Sequence, residues 1–371
     1  MTTTLDDLPT PCLLLDLDVL ERNIARMAGA MARHPGVALR PHMKTAKNAQ
    51  VADLAAPGKG PITVSTLAEA RHFADHGFRD QVYAVGITPR KLDAVAALNA
   101  AGNDVKVITD DLDTAAAIAA HPGRLPTLVE VDVGEGRAGV SPDNVMLLRI
   151  AAVLGDRLAG VLSHSGHSYA GRSEEAMADI AEAERANLTR AAARLRMAGH
   201  AVRIVSAGAS PTAMHARSLD GVTEMRAGVY MLGDLLQGQI GTHPPDDIAV
   251  TVLSAVIGRY PARGAVLVDA GALALSKDRS TEGAPRDWKF GRVLDRDGRP
   301  TLGDAMVVRV HQEHGEVRAA EGSALPVEEM PVGTLLRVAP NHVCLTAAAH
   351  DRYHVLRGGQ VVAEWMRVNF W

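Results

Sequence analysis

Aromatic residues and cysteines are scarce in this sequence. Phenylalanine, tryptophan and tyrosine together make up 3% of its 371 residues. That is too few for a surface on which nucleic acid bases stack, or for an aromatic girdle at a membrane. The two cysteines, Cys12 and Cys344, do not build a disulfide framework. We therefore expect a protein of a reducing compartment, the cytoplasm.

Long apolar runs and an excess of one charge are also missing. No apolar run reaches the roughly 18 residues of a membrane-spanning helix, and the N-terminal residues are polar and acidic, unlike a signal peptide. The net charge is −4, from 39 basic and 43 acidic residues, which gives no reason to expect a nucleic acid. We expect a small molecule as the partner, and neither a membrane nor a nucleic acid.

Apolar residues are abundant, at 47%, and they form short β-rich runs that alternate with alanine- and leucine-rich helical patterns. The runs predict strands over Val37–Pro41, Ile62–Leu67, Gln81–Gly86, Val105–Thr109, Thr127–Val133, Leu158–His164, Val202–Gly208 and Val222–Gly228. Helices are predicted over Leu67–His76, Pro89–Ala101, Thr114–Ala120, Ser141–Leu154, Ser173–Met197 and Thr212–Ser218. Eight such units predict an α/β fold, a closed TIM-like (β/α)8 barrel of parallel strands.

After about residue 240 the pattern changes to short strands separated by turn residues. Strands are predicted over Ile248–Ile257, Ala265–Asp269, Met306–Val310, Leu335–Val338, Tyr353–Leu356 and Gln360–Trp365. Helical periodicity is nearly absent. We therefore predict a barrel over residues 12–240 and a C-terminal all-β domain over residues 241–371, with residues 1–11 packed on the latter.

Reactive side chains follow several of the predicted barrel strands. In such a barrel the carboxyl ends of the strands form the active site. His42 and Lys44 follow the first strand, Arg137 follows the fifth, and His164 and Tyr169 follow the sixth. Any one of these loops would be polar in most proteins, but convergence from so many strands favours a binding cavity.

Lys44 is the most informative of these side chains. A solvated loop lysine is the plain alternative, because most lysines lie at the surface. Against it, Pro41 fixes the backbone between strand and loop, and His42 lies two residues away. A lysine in a barrel mouth can form a Schiff base with an aldehyde cofactor, and Arg137 would be a cationic neighbour that activates it.

A phosphate cradle is predicted after the seventh and eighth strands. Gly208, Ser210 and Thr212 lie where a helix is predicted to begin, and the backbone N–H groups and the helix dipole favour an anion there. Gly228 and Tyr230 follow the eighth strand, and the loops after strands seven and eight form the usual phosphate site of such barrels. An ordinary helix N-cap has the same composition, so the position is what favours the cradle.

Ser168 allows a function of another class. The segment Gly166–Ala170 follows a strand and resembles the G-x-S-x-G elbow of serine hydrolases, with alanine in the fifth position. A hydrolase also needs a histidine and an acid later in the chain, and their spacing does not identify them. A serine hydrolase that uses Ser168 therefore stays an alternative.

His342 and Cys344 form a candidate metal site. Residues two apart on a strand face the same side, so this pair would present a nitrogen and a thiolate to one point, as zinc prefers. A buried cysteine and a capped histidine would give the same sequence. Two protein ligands leave positions open for water or substrate, which is typical of a catalytic metal.

Several motifs, in one order along almost the whole chain, resemble the D-serine dehydratase/D-threonine aldolase family, to which D-threo-3-hydroxyaspartate dehydratase is also similar. They are Pro41–Thr45, His164–Tyr169, Ser210–Thr212, Arg226–Tyr230, Asp269–Gly271, Ser276–Arg279, Gln312–Gly315 and Pro340–Cys344. The resemblance implies the alanine-racemase-like fold of type III pyridoxal-phosphate enzymes, which is a barrel followed by a β-domain, usually in a homodimer.

The matching positions imply roles for individual residues. Lys44 would bind pyridoxal 5′-phosphate covalently and would act in catalysis with His42 and His164. His342 and Cys344 would bind a divalent metal, either zinc, manganese or magnesium. Contacts to the cofactor are implied for Arg137, Tyr169, Gly208, Ser210, Thr212, Gly228 and Tyr230.

These roles imply a lyase that acts on β-hydroxy-D-amino acids. A dehydratase of the D-serine or D-threo-3-hydroxyaspartate type is the first expectation. A D-threonine aldolase, which breaks the Cα–Cβ bond, is the alternative, because both reactions use nearly the same parts. A non-catalytic carrier of pyridoxal phosphate is disfavoured, because such small proteins lack a β-domain.

Overall fold

The computed structural model describes residues 4–371, which divide into two compact units. The barrel unit comprises Ala25–Gly228 with Val368–Trp371, and the sheet unit comprises residues 4–24 with Val229–Arg367. In this part of the chain no helix has both the length and the apolar character that crossing a membrane requires.

Strands and helices are numbered in chain order. Strands β1 to β17 are Cys12–Asp16, Ala38–Pro41, Ile62–Val64, Asp80–Gly86, Asp104–Thr109, Thr127–Val131, Leu158–Ser163, Ile204–Ala207, Glu224–Ala227, Val250–Tyr260, Ala265–Val268, Arg292–Leu294, Met306–Val310, Gly315–Arg318, Leu335–Ala339, Arg352–Arg357 and Gln360–Met366. Helices α1 to α11 are Leu17–Met31, Ala49–Ala55, Leu67–Asp75, Leu92–Ala100, Leu112–Ala120, Val145–Leu154, Glu174–Met197, Ser210–His215, Leu235–Gln239, Ala272–Leu275 and Val343–Ala347.

Strands β2 to β9 form a parallel sheet of eight strands among the described residues, in the order β2-β9-β8-β7-β6-β5-β4-β3. A parallel bridge between His42 and Thr63 joins the ends of β2 and β3, so the sheet closes on itself. Strands β6 and β7 are buried along their whole length, as expected for strands that are covered on both faces. The predicted (β/α)8 barrel is confirmed, and each predicted strand is present with small shifts at its ends.

Helices alternate with the barrel strands, and several begin at a side-chain cap. Thr66, Asp111 and Ser173 each accept a hydrogen bond from the backbone N–H three residues further on, at the starts of α3, α5 and α7. Such caps satisfy N–H groups that have no partner within the helix. The alternation returns each strand in the same direction, so all carboxyl ends meet at one mouth of the barrel.

Strands β1 and β10 to β17 form the sheet of the second unit, in the order β11-β14-β13-β12-β15-β10-β1-β16-β17. Each strand that was predicted after residue 240 is present. The predicted β-domain is therefore confirmed as an architecture. Strands β12 and β14 are additional, and they contain only three and four residues.

Strand β1 lies in this sheet and not in the barrel, where the predicted boundary at residue 12 placed it. It pairs antiparallel with β10 and parallel with β16. Its apolar run is buried, and composition does not distinguish such a run from a barrel strand. Residues 229–240 likewise belong to the sheet unit. Of residues 1–11, Leu5 packs against Leu14 and Leu253, and residues 1–3 lie outside the described part of the chain.

The segment of His342 and Cys344 is not a strand, which corrects the prediction. Strand β15 ends at Ala339, His342 is the N-cap of α11, and Cys344 lies in the first turn of that helix. Pro340 has no N–H group for a sheet ladder. The amide of Asn341 donates to the carbonyl oxygens of two distant residues, so the chain turns away from the sheet here.

Candidate active site and metal centre

The barrel unit has a cavity of about 340 Å³ at the carboxyl ends of its strands. Its wall brings together residues of β4, β5, β6, β7 and β9 and of the loops that follow β2, β3, β6 and β7. The lining residues are His42, Lys44, Ser65, Ala84, Val85, Gly86, Ile108, Glu130, Arg137, Ala138, Leu162, His164 and Arg226. The cavity thus unites His42, Lys44, Arg137 and His164, which the sequence predicted to converge.

Lys44 reaches this cavity because the backbone before it is fixed. His42 donates its N–H to the carbonyl of Ala227 at 2.7 Å, and Met43 donates to the carbonyl of Thr63 at 2.8 Å. These bonds attach the segment to both neighbouring strands. Lys44 itself is exposed, and its side chain lines the cavity. Lys44 therefore has the position that the proposed role of cofactor attachment requires.

Two neutral histidines stand beside Lys44. Burial, together with the positive charges of Lys44 and Arg226, holds the pKa of His42 well below its usual range. Burial and the Arg226 guanidinium lower the pKa of His164 to about 3. Both imidazoles are therefore uncharged at neutral pH and can accept a proton.

Hydrogen bonding determines the tautomer of His164. Its Nδ1 lies 3.1 Å from the carbonyl oxygen of Gly208. A carbonyl oxygen only accepts, so Nδ1 carries the proton and Nε2 keeps its lone pair. His164 can therefore act as a base through Nε2, and it also links the sixth barrel strand to the predicted phosphate loop.

Arg226 and Glu184 form a buried charged layer below the cavity. Arg226 donates to the backbone oxygens of Ser206 at 2.9 Å and of Ser163 at 2.5 Å. Burial lowers its pKa. Glu184, from α7, accepts hydrogen bonds from the hydroxyl of Ser163 at 2.8 Å and from the N–H of Gly208 at 2.9 Å. The sequence analysis missed Glu184, although a carboxylate on an alanine-rich helix face is a usable signal.

Two glycines allow close backbone approach beside the cavity. Gly208 has a φ of +128°, and a Cβ there would lie 2.4 Å from the carbonyl oxygen of Arg226. A Cβ on Gly228 would lie 2.8 Å from the carbonyl oxygen of His42. Neither position admits a side chain without a backbone shift. These glycines therefore allow the strand ends to pack closely, and the N–H of Gly208 is bonded to Glu184.

The predicted phosphate loop leads directly into α8. Ser210 is buried at the first turn of this helix. The hydroxyl of Thr212 accepts a hydrogen bond from the N–H of Ala209 at 3.0 Å. This bond is one half of a capping box, and alanine lacks the side-chain acceptor for the other half. Ala209 therefore gives the first turn of α8 no side-chain cap.

The remaining predicted cofactor residues differ in what surrounds them. Arg137 is exposed and lies 3.5 Å from Glu135. Tyr169 is half-buried in a 3-10 turn after β7. Tyr230 follows Gly228 by two residues but belongs to the sheet unit, and burial raises its pKa.

The geometry around Ser168 does not support a hydrolase. Its Oγ is buried and makes no hydrogen bond with any of residues 4–371. It lies within a 3-10 turn, Gly166–Ala170, in the loop between β7 and α7, and not on a sharp turn that joins a strand directly to a helix. A nucleophilic serine needs an accessible oxygen and a histidine within hydrogen-bonding distance.

In the sheet unit, His342 and Cys344 lie together even though their segment is not a strand. The Cys344 sulfur is within hydrogen-bonding reach of the His342 ring. The N-cap residue and the second residue of a helix can converge, just as alternate strand residues do. The predicted donor pair is therefore assembled by a different geometry.

Asp234 orients this pair, and the sequence analysis missed it. It is fully buried, and its Oδ2 lies 3.1 Å from Nδ1 of His342 and accepts the N–H of Val343 at 3.2 Å. A carboxylate at Nδ1 leaves Nε2 for a metal, as is common for metal-binding histidines. Burial opposes a charge on His342, but the Cys344 thiolate and Asp234 outweigh it and raise the pKa of His342 to about 11. A metal ion would displace that proton.

The donor chemistry fits a divalent metal with open positions. Among the described residues, no group of three or more histidine, cysteine, aspartate or glutamate side chains is arranged to hold a metal ion. A nitrogen and a sulfur donor with a buried carboxylate behind them suit a borderline-soft ion. Fewer than four protein donors leave room for water or a substrate oxygen.

Two protein-family models match the chain. The alanine racemase N-terminal domain matches residues 15–235, and a putative serine dehydratase domain matches residues 249–356. The first match contains Lys44 and the barrel cavity, and the second contains His342 and Cys344.

Curated relatives extend over nearly the whole chain. D-threo-3-hydroxyaspartate dehydratase of Delftia sp. (strain HT23) is 42% identical and covers 100% of both chains. D-threonine aldolase of Arthrobacter sp is 30% identical and covers 96% of this chain and 91% of the relative. Dehydratases and aldolases are therefore both among its relatives.

Solved structures of D-threo-3-hydroxyaspartate dehydratase are similar in fold. A histidine-to-alanine variant has a TM-score of 0.96 with 41% identity and covers 100% of this chain and 98% of the other. A cysteine-to-alanine variant in the metal-free form has a TM-score of 0.95 with 40% identity over 100% of both chains. The substituted histidine and cysteine are two positions apart, which is the separation of His342 and Cys344.

Proposed function

This chain belongs to the alanine-racemase-like family of lyases that includes D-amino acid dehydratases and aldolases, and we propose that it is a dehydratase of β-hydroxy-D-amino acids. The proposal includes dependence on pyridoxal 5′-phosphate and on a divalent metal. Its preferred substrate is D-threo-3-hydroxyaspartate. One observation carries it: Lys44 and the His342–Cys344 pair occur in a chain that is 42% identical over its whole length to such a dehydratase.

The barrel cavity fits the proposed cofactor. Lys44 offers an amine to the aldehyde. Gly208 and Gly228 begin the loops after the seventh and eighth barrel strands, where barrels of this kind hold a phosphate. Ser210, Thr212 and Tyr230 are proposed as further phosphate contacts, and Arg137 and Tyr169 as contacts near the ring. When bound, pyridoxal phosphate withdraws electrons from Cα of an amino acid.

Proton transfer at Cα falls to the residues around Lys44. The Lys44 amine and the neutral His42 and His164 are the available bases, since both imidazoles are uncharged at neutral pH and keep one nitrogen lone pair. His164 presents Nε2, because Nδ1 donates to Gly208. We assign Lys44 as the principal base, with His42 and His164 as its neighbours in the catalytic group.

Loss of a β-hydroxyl group requires help for a poor leaving group. A divalent ion at His342 and Cys344 would supply Lewis acidity toward a hydroxyl oxygen. Asp234 would hold the imidazole in the orientation and tautomer that this needs. The chemistry of the pair fits zinc and also allows manganese or magnesium.

Charge in the barrel cavity supports a dicarboxylic substrate. Two guanidinium groups, those of Arg137 and Arg226, line it together with one carboxylate, Glu130. Arg137 is 57% exposed and only loosely paired with Glu135 at 3.5 Å, so its guanidinium can bind a second carboxylate.

We therefore expect Arg137→Gln to raise KM for D-threo-3-hydroxyaspartate about tenfold or more. D-serine, which lacks that carboxylate, is the matched control and should change little.

Product analysis distinguishes dehydratase from aldolase. The purified protein would be incubated with D-threo-3-hydroxyaspartate, D-serine and D-threonine. Ammonia with a 2-oxo acid is the expected result, whereas glycine with an aldehyde would assign the aldolase reaction. Turnover of none of these D-amino acids would contradict both assignments.

A homodimer in the cytoplasm completes the proposal. Leu345, Val362 and Met366 are each more than half exposed, and exposed apolar side chains of this size often contact another chain. Light scattering during gel filtration would measure the mass, and a monomer at micromolar concentration would contradict the dimer.

A further inference from the structure

The sheet unit contains a second cavity, of about 200 Å³, that none of the roles above uses. It lies on one face of the sheet, against β1, β10, β12 and β15, and is bounded by the turn between β12 and β13. The charged residues of its lining are Asp16, Asp246, Asp297, Arg292, Arg299 and Arg337. We refer to it as the Arg337 cavity.

Strand register brings these side chains to the same face. Leu14 of β1 is opposite Thr251 of β10, and Arg292 of β12 is opposite Ala339 of β15. Arg337 lies two residues before Ala339, so its side chain points to the same side. The floor of the cavity is therefore a regular part of the sheet and not a surface irregularity.

Arg337 is buried without a partner. Only 5% of the residue is exposed, and its Nε is buried with no hydrogen-bond acceptor among residues 4–371. The turn above it approaches so closely that a Cβ on Gly298 would lie 3.0 Å from its Nη1. Arg226, which is similarly buried in the barrel, donates to Ser206 and Ser163. Both guanidinium groups have a buried Nε without a hydrogen-bond acceptor among the described residues. They differ in their terminal nitrogens, which have acceptors within the protein in Arg226 and, in the described part of the chain, none in Arg337.

The carboxylates nearest to Arg337 are engaged elsewhere. Asp16 caps the start of α1. Asp295 accepts two backbone N–H groups of its own turn at 3.0 and 2.8 Å. Asp297 lies 3.6 Å from Arg299. Their charge acts on Arg337 through space, but none of them lies within ion-pair distance of it. A buried, unpaired cation is costly unless an anion completes it.

The shape and charge of the cavity select the class of anion. A guanidinium presents parallel N–H groups that match a carboxylate in two hydrogen bonds. The lining carries three aspartates beside its three arginines, so a doubly charged phosphate would face more repulsion than a single carboxylate. The volume of about 200 Å³ is below the range of pockets for drug-sized ligands.

We propose that the Arg337 cavity binds a small carboxylic acid through the Arg337 guanidinium. This site is separate from the Lys44 cavity and from the His342–Cys344 pair, and it does not depend on the reaction assigned above. Its ligand is a metabolite-sized molecule with one carboxylate on Arg337.

The test compares wild type with Arg337→Met, which keeps the length of the side chain and removes its charge. Acetate, propionate and lactate would be titrated into the holoenzyme at constant ionic strength, with thermal unfolding and calorimetry as readouts. At least one of them should bind the wild type with saturation and bind Arg337→Met at least about tenfold more weakly, as the loss of a charged hydrogen bond predicts. The control is Arg299→Met, because Arg299 lines the same cavity, has a side chain that is 72% exposed, and should leave binding within about threefold.

Other outcomes would overturn the proposal. Equal binding to wild type and Arg337→Met would place the carboxylate elsewhere. Binding of inorganic phosphate but of no carboxylate would show that the cavity prefers another class of anion. A changed mass of Arg337→Met in light scattering would indicate that a second copy of the chain contacts Arg337. Saturation by no carboxylate would contradict the proposal directly. If Arg337→Met does not fold, Arg337→Lys replaces it, because lysine keeps the charge but not the paired donors and should also weaken binding.

Discussion

The barrel mouth and the His342–Cys344 turn are the two proposed sites of chemistry, and they are built in different ways. The barrel site takes side chains from the ends of regular parallel strands, so chain position alone places His42, Lys44 and His164 together. The metal pair is formed by an irregular turn and a helix start, and it depends on Asp234, more than one hundred residues away. A site on a regular topology can be predicted from the sequence. A site on an irregular turn depends on contacts with residues that are distant in the chain.

Substitution of the central residues should change different properties in the two regions. Lys44→Ala should abolish both turnover, by at least about 10³-fold, and the absorbance of lysine-bound cofactor near the edge of the visible range. Absorbance spectra and steady-state kinetics measure both effects. Lys59→Ala is the matched control, because Lys59 is a surface lysine paired with Asp53. Retained cofactor absorbance in Lys44→Ala would contradict the assignment of Lys44 as the cofactor-binding residue of the barrel.

Loss of the metal pair should leave the barrel intact. His342→Ala and Cys344→Ala should each lower activity by at least about 100-fold, while the cofactor absorbance remains. Chelation should have the same effect on the wild type, with recovery on adding zinc or manganese. Cys12→Ala, at the other cysteine of the same unit, is the control and should stay active. Full activity of the double variant His342→Ala, Cys344→Ala would show that the second region carries no chemistry.

A smaller effect is expected at the glycine beside His164. Gly208→Ala combines a positive φ with a Cβ only 2.4 Å from the carbonyl oxygen of Arg226, and should destabilise the protein by about 2–4 kcal/mol. Gly199→Ala is the matched control, since Gly199 has a φ of +87° and nothing within 4 Å of a Cβ, and should cost about 1 kcal/mol. Urea unfolding measures both. Equal decreases in the free energy of unfolding for the two variants would mean that the barrel backbone shifts at Gly208 with little cost.

The smallest effect concerns pH. Because burial lowers the pKa of His164 to about 3 from 6.5, the unfolded chain binds the proton more tightly than the folded one. This contribution to the free energy of unfolding is therefore present above pH 6.5 and is lost as the pH falls toward 3, with about 2 kcal/mol lost by about pH 5. His164→Gln should flatten the dependence of unfolding free energy on pH in this window, measured on cofactor-free protein. His200→Gln is the control, and an unchanged slope in His164→Gln would contradict the burial argument.

The sequence predicted the barrel far better than the details of the sheet unit. Strict alternation of strands and helices leaves few topologies, so the eight strands and their shared mouth could be inferred. No strand was predicted over Cys12–Asp16, and the boundary at residue 12 assigned these residues to the barrel because a buried apolar run looks the same in either sheet. The strand predicted at His342 was wrong because Pro340 and Asn341 turn the chain through contacts with residues 278 and 289.

The sequence by itself determined which residues are available for chemistry and, in the barrel, where they meet. Lys44, His42 and His164 follow strands whose direction is set by the crossover rule. Only the tertiary structure decided which groups support them: Glu184 under Gly208, Asp234 behind His342, and the unpaired Arg337 in its own cavity. The physical reason is that a periodic pattern specifies local geometry, whereas a hydrogen bond between distant residues depends on the packing of the whole unit.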